Sequence, residues 1–171
     1  MLRASLNTCS SFILAAALAV LAAVNAAAAE SRVQHRLLFF EYGKGPNRML
    51  ELDASGKVVW EYTGVENAGD AQRLPNGNTL ISCGTQKRVI EVTPDKKIAW
   101  QFTAADAPDL NITWISSIQV LANGNLLVGN FLRGQEGKGA HAFEVTREKK
   151  IVWRWDDHGL IKSLTTVRAL E

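Results

Sequence analysis

Beyond the first 29 residues, apolar residues come in short strand-like runs separated by turn-forming residues. Lys57-Val58-Val59-Trp60-Glu61-Tyr62 alternates on a period of two, the mark of a half-buried strand. The turn before it is Asp53-Ala54-Ser55-Gly56, and Glu51-Leu52 ends another strand ahead of that turn. The whole phrase, Glu51 to Tyr62, returns as Glu91-Val92-Thr93-Pro94-Asp95-Lys96-Lys97-Ile98-Ala99-Trp100-Gln101-Phe102. It returns again as Glu144-Val145-Thr146-Arg147-Glu148-Lys149-Lys150-Ile151-Val152-Trp153-Arg154-Trp155. Leu74-Pro75-Asn76-Gly77-Asn78-Thr79-Leu80 is matched by Leu121-Ala122-Asn123-Gly124-Asn125-Leu126-Leu127. Its Asn-Gly pairs predict hairpins in which both turn residues take positive φ. Self-similarity at a spacing of about 40–50 residues marks a β-repeat, and repeats of that length build propeller blades.

One unit then has four antiparallel strands, a to d. Gln72 lies on strand a, Leu80 on b, Val89 to Val92 on c and Ile98 to Phe102 on d. The next unit repeats them around Gln119, Leu127, Phe143 to Val145 and Ile151 to Trp155. The first unit offers strand b at Leu37 to Tyr42, c at Met49 to Leu52 and d at Val58 to Tyr62, with no strand a ahead of them. Val167-Arg168-Ala169-Leu170 has the shape of Ala71-Gln72-Arg73-Leu74 and predicts a further strand a. The expected fold is all-β: about three four-stranded propeller blades, the first split between the N- and C-termini. Closed propellers have about four to eight blades. Three resolutions follow: two chains meeting as half-rings in a six-bladed dimer, a remnant of a longer gene, or closure on a different partner. Self-association is the expected partner interaction.

Residues 1–29 read as a signal peptide. Arg3 supplies a thin positive region, Phe12 to Val24 is a short apolar core, and Ala27-Ala28-Ala29 precedes Glu30 as a cleavage site. The apolar run is short for a membrane span, so no stable insertion is expected after cleavage. Residues 30–171 form the repeat domain, with a periplasmic or secreted destination. Cys83 is then the one cysteine left, so no internal disulfide is available. The chain has 19 Lys and Arg against 17 Asp and Glu, with only Arg3 in the leader, and both signs are interspersed. Such a balance gives no footprint for nucleic acid.

The stretch from Arg73 to Ile81 followed by Val89 to Asp95 resembles bacterial exported propellers of the pyrroloquinoline-quinone-like repeat and arylsulfotransferase-like group. Ser117 through Asn130, Phe143 to Arg147, Trp153, Asp157-His158, Lys162 and Val167 look like the last blade of such proteins. The resemblance implies a propeller about twice this length and a funnel histidine in its sulfotransferase-like members. Leu52 to Trp60 resembles the Trp docking motif of quinoproteins, but their adjacent-cysteine pair is missing here. A bound quinone is therefore disfavoured, and no cofactor is expected.

Trp60, Trp100 and Trp153 suit either a stacking surface or inter-blade packing; recurrence in every unit favours packing. Non-repeated features are where a function would be grafted. Two insertions break the period, Thr103 to Trp114 and Leu132 to Ala140, and Trp114 is a candidate ligand contact. Asp156-Asp157-His158 is the densest local cluster, with His141 a further imidazole; a carboxylate can orient a histidine for acid–base work, or simply cap a turn. His158, Asp157 and His141 are the candidate catalytic groups. No spacing predicts a metal site. Strand a lines a propeller's channel, so Gln72, Gln119 and Arg168, with Asp70 and Arg73 beside them, form a candidate axial binding set. The expected role is a non-catalytic ligand- or protein-binding module. The alternatives are a sulfotransferase-like or lyase-like enzyme with a funnel histidine, and a pyrroloquinoline-quinone-binding protein.

Overall fold

The computed structural model describes residues 34–45 and 47–170; the predicted leader lies outside them. The chain forms three antiparallel sheets in sequence order. The first holds β1 (Leu37–Glu41), β2 (Arg48–Leu52) and β3 (Val58–Tyr62). The second is β4 (Ala68–Arg73), β5 (Thr79–Cys83), β6 (Arg88–Val92) and β7 (Ile98–Thr103). The third is β8 (Ile115–Val120), β9 (Leu126–Asn130), β10 (Ala142–Val145) and β11 (Ile151–Trp155). Helix among the described residues amounts to two single 3₁₀ turns, Ala104–Asp106 and Pro108–Leu110.

The sheets stack as blades do, each burying a face against the next. Met49, Trp60, Ile81, Cys83, Ile90 and Val92 form the core between the first and second sheets. Leu80, Val89, Phe102, Ile118, Val128 and Phe143 are among those filling the gap between the second and third. Both faces of β5 and β6 are therefore buried, which explains their unbroken apolar runs.

The repeated phrase forms one device twice. Trp60 Nε1 donates to the Pro94 carbonyl (3.2 Å) and Trp100 Nε1 to the Arg147 carbonyl (2.7 Å), so each strand-d tryptophan is tied to the next sheet's turn. A guanidinium covers each ring, Arg73 over Trp60 at 5.0 Å and Arg147 over Trp100 at 4.5 Å. The same cations pair with the repeated carboxylates, Arg73 with Glu51 and Arg147 with Glu91. Burial alone would raise the Glu91 pKa, but the Asn78 amide, Arg147 and Asn76 together hold it below the usual carboxylate value.

The hairpin turns differ from the expected form. Gly77 has φ +86° and Gly124 +84°, but neither Asn76 nor Asn123 has positive φ. Gly77 N donates to Leu74 O and Leu74 N to Asn78 O, with Asn78 N on the Asn76 side chain. This is a three-residue loop closed by one left-handed residue, and Pro75 presets the first central position. The same backbone bonds recur at Asp53–Lys57, Thr93–Lys97, Leu121–Asn125 and Thr146–Lys150.

The terminal stretch 156–170 contains no assigned strand, and the first sheet does not receive it. It lies instead alongside β8: Ser117 Oγ accepts from Val167 N at 3.1 Å, and the Gln119 amide brackets Ala169 N and O. Val167 to Leu170 thus stands beside β8 without a sheet behind it.

Candidate functional site

Antiparallel order sends the connections from strand b to c, and from d to the next a, to one end of the stack. Both insertions emerge there, with residues 156–166. They interlock around Asn130, which is fully buried. Its Oδ1 accepts from the Thr113 amide and hydroxyl and from Trp114 N, and its Nδ2 donates to the Ala140 and Asn111 carbonyls. Leu110, Ile112, Leu132 and Ala140 are buried, so each insertion contributes to the core. Asp106 accepts from Thr103 and pairs with Lys149 at 3.2 Å, while Asp109 reaches Arg154 at 3.6 Å. Trp114 packs edge-on to Phe131 with its indole N–H buried and unpartnered. A Cβ on Gly84 would enter its ring.

His141 and His158 meet beneath this surface with ring centroids 4.4 Å apart, and Trp155 lies 5.6 Å from His141. His141 is fully buried, and neither of its ring nitrogens has a hydrogen-bond partner. Burial, then the neighbouring His158, pushes the His141 pKa down; the Asp157 backbone opposes this without a well-aligned hydrogen bond. The Asp157 carboxylate faces elsewhere: Oδ1 accepts from Gly159 N (2.9 Å) and Leu160 N (3.0 Å), closing a turn. Asp156 pairs with Arg154 at 2.6 Å. Among the described residues no His, Cys, Asp or Glu cluster is arranged to hold a metal. Burial pushes the Cys83 thiol up to about 11, which leaves it a poor nucleophile.

Three of the axial candidates come together on the inner strands. Asp70 Oδ2 accepts from Ile118 N at 3.1 Å and pairs with Arg168 at 2.7 Å, and Gln119 holds Ala169. Gln72 is exposed on β4. Arg73 turns away from them, to Glu51, the Gly77 carbonyl and the Trp60 ring. Arg168 thus has its charge matched by Asp70, and a free anion would have to displace that carboxylate.

The sequence reading of site residues missed an opening at the first sheet. A cleft of about 210 Å³ between β1 and β4 is lined by Leu38, Phe39, Phe40, Met49 and residues 68–71. Next to it, about 310 Å³ is bounded by Arg36, Glu51, Trp60, Arg73, Gly77 and Pro94. The signal was the gap before strand b. In the other sheets a strand a, β4 or β8, pairs there with strand b; here no described residue pairs with the inner edge of β1.

Comparison with solved structures agrees with the sheet stacking. A crystal structure of a protein of unknown function from Bacteroides caccae superposes with a TM-score of 0.61 at 17% identity, covering 77% of this chain and 52% of that one. A streptogramin B lyase structure superposes with a TM-score of 0.51 at 14% identity, covering 71% of this chain and 37% of that one. The fold is propeller-like. This chain spans about half the length of the first of these neighbours and less of the second. No family model matches the sequence, and no curated protein matches it. No helix of the described residues is long and apolar enough to cross a membrane.

Proposed function

We propose that this chain is an exported propeller-like module that binds an extended polypeptide strand at the open inner edge of β1 and does not turn it over. The observation carrying this reading is that edge. Among the described residues β1 is paired on one side only, and its free side borders the cleft between β1 and β4. An exposed strand edge beside side-chain pockets is the arrangement that accepts an added strand, with main-chain bonds giving affinity and alternate pockets giving selectivity. Phe39, 38% exposed, and Leu38 would grip the alternate side chains.

A sulfotransferase-like or lyase-like activity needs an imidazole open to substrate. His141 is sealed, His158 is half-buried with its ring against His141, and the Asp157 carboxylate is engaged with backbone amides and orients neither ring. Export rests on the leader-like N-terminal residues. The test is amide hydrogen exchange at residues 37–41 with and without an acetylated hexapeptide alternating valine with threonine and lysine. The expected result is slowed exchange confined to β1 and the cleft. Unchanged exchange at saturating peptide, in a chain that light scattering shows to be monomeric, would refute strand binding.

A further inference from the structure

The strand that best fits this edge is carried by the molecule itself. We propose that Val167–Leu170 of a second copy docks on β1 as the missing inner strand, and that the exchange is reciprocal. This rests on the strand-binding reading above and names its occupant.

The repeat supplies the argument. Asp70 on β4 accepts from Ile118 N of β8, and Ser117 at the equivalent place on β8 accepts from Val167 N. The same bond made twice places Val167–Leu170 as the next inner strand after β8. β4 and β8 each also pair with a strand b of their own, and residues 167–170 have none among the described residues. The first sheet has the opposite lack: among the described residues it has strands b, c and d with no inner strand.

The register follows from the other sheets. Leu80 pairs with Glu91, Leu127 with Glu144 and Leu38 with Glu51, so Leu38 occupies the place of Leu80 and Leu127. Gln72 pairs with Leu80 and Gln119 with Leu127, which sets Arg168 opposite Leu38. Ala71 opposite Ile81 and Ile118 opposite Val128 set Val167 opposite Phe39. Arg73 opposite Thr79 and Val120 opposite Leu126 set Ala169 opposite Leu37.

The exposed surface matches this docking. Ile81 and Val128 are fully buried between sheets, whereas their counterpart Phe39 is 38% exposed. Trp60 is 9% exposed, whereas Trp153, at the same place in the last sheet, is 46% exposed. Trp60 and Trp100 donate to the carbonyls of Pro94 and Arg147. The first sheet's equivalent is Ala54 in an exposed turn, the acceptor for Trp153 Nε1 of the second copy. Two copies, each with the three sheets formed by its described residues, would then make a six-bladed ring, within the range of about four to eight blades that closed propellers adopt.

The experiment is light scattering on the purified exported protein, together with oxidation of the double variant Leu37→Cys, Ala169→Cys. Directly opposed antiparallel residues have Cα atoms about 4.5–5.5 Å apart, inside disulfide range. The expected results are a dimer mass and a covalently linked dimer. The one-residue-shifted pair Leu37→Cys, Arg168→Cys should link far less, and buried Cys83 should stay out of the exchange. Trp153→Ala, which alters an exposed side chain, should weaken the dimer at least tenfold with the chain still folded by circular dichroism. A monomer that still protects β1 when the hexapeptide is added would overturn the second copy and leave strand binding standing. A monomer whose β1 ignores the peptide would overturn both, and equal linking by the shifted pair would overturn the register.

Discussion

The three repeated tryptophans differ in what surrounds them, and that difference is measurable. Trp60 is held by the Pro94 carbonyl and by Arg73, while Trp153 is about half exposed. Trp60→Phe should destabilise by roughly 1–3 kcal/mol through one lost hydrogen bond and lost ring volume, read by urea denaturation. Trp153→Phe should change the stability of the dissociated chain by less than about 0.5 kcal/mol. His141 sets a pH dependence. Its folded pKa lies below the unfolded value, so the native state binds fewer protons than the unfolded one in the window between them. Its contribution is whole above the unfolded value of about 6.5 and declines as pH falls below it. His141→Phe should therefore lose less thermal stability than the natural chain between about pH 7 and pH 5; an identical loss would show that His141 does not titrate on unfolding.

At the scale of elements, the strands were legible because alternation and turn residues are local signals. Val58 to Tyr62 and Ile151 to Trp155 lie where the pattern placed them, and the strand expected at Val89 to Val92 runs Arg88–Val92. The turn type was not legible, since Asn-Gly serves more than one hairpin geometry. All five loops put a single left-handed residue at the same place, Gly56, Gly77, Lys96, Gly124 or Lys149. Lys96 has φ +68° without glycine's freedom, so Lys96→Gly should stabilise by about 0.5–1 kcal/mol. A thermal melt of the single variant checks this, and no gain would mean the lysine's own contacts outweigh the strain. In the sequence the insertions read only as breaks in the repeat. Leu110 and Ile112 became core because Asn130, on a neighbouring strand, satisfies the loop backbone, a pairing that local sequence does not encode.

For the whole molecule, the stacking of sheets leaves two unlike ends. One presents Phe39 and the free edge of β1; the other presents Trp153 and the 167–170 segment. If these ends meet across two copies, folding is coupled to association, and the thermal midpoint should rise with protein concentration. A midpoint constant over a hundredfold dilution range that spans the dissociation constant would argue against coupled assembly. The axial residues behave likewise as a property of the stack. Asp70 and Arg168 are 98 residues apart in sequence and paired in space, while Arg73, next to Gln72, serves the contact between sheets.

By itself the sequence determined the all-β class, the strands, the turn positions and the repeat, because each follows from side-chain alternation and backbone preference within a dozen residues. It also marked the absent inner strand of the first sheet. Tertiary structure alone decided which polar groups meet. His141 is sealed beside His158 because the turn at 156–161 brings His158 back onto the residue that precedes β10. Asp157 closes its own turn by accepting from the Gly159 and Leu160 amides. Burial and partner choice depend on surfaces brought together from distant parts of the chain, and no local pattern carries that information.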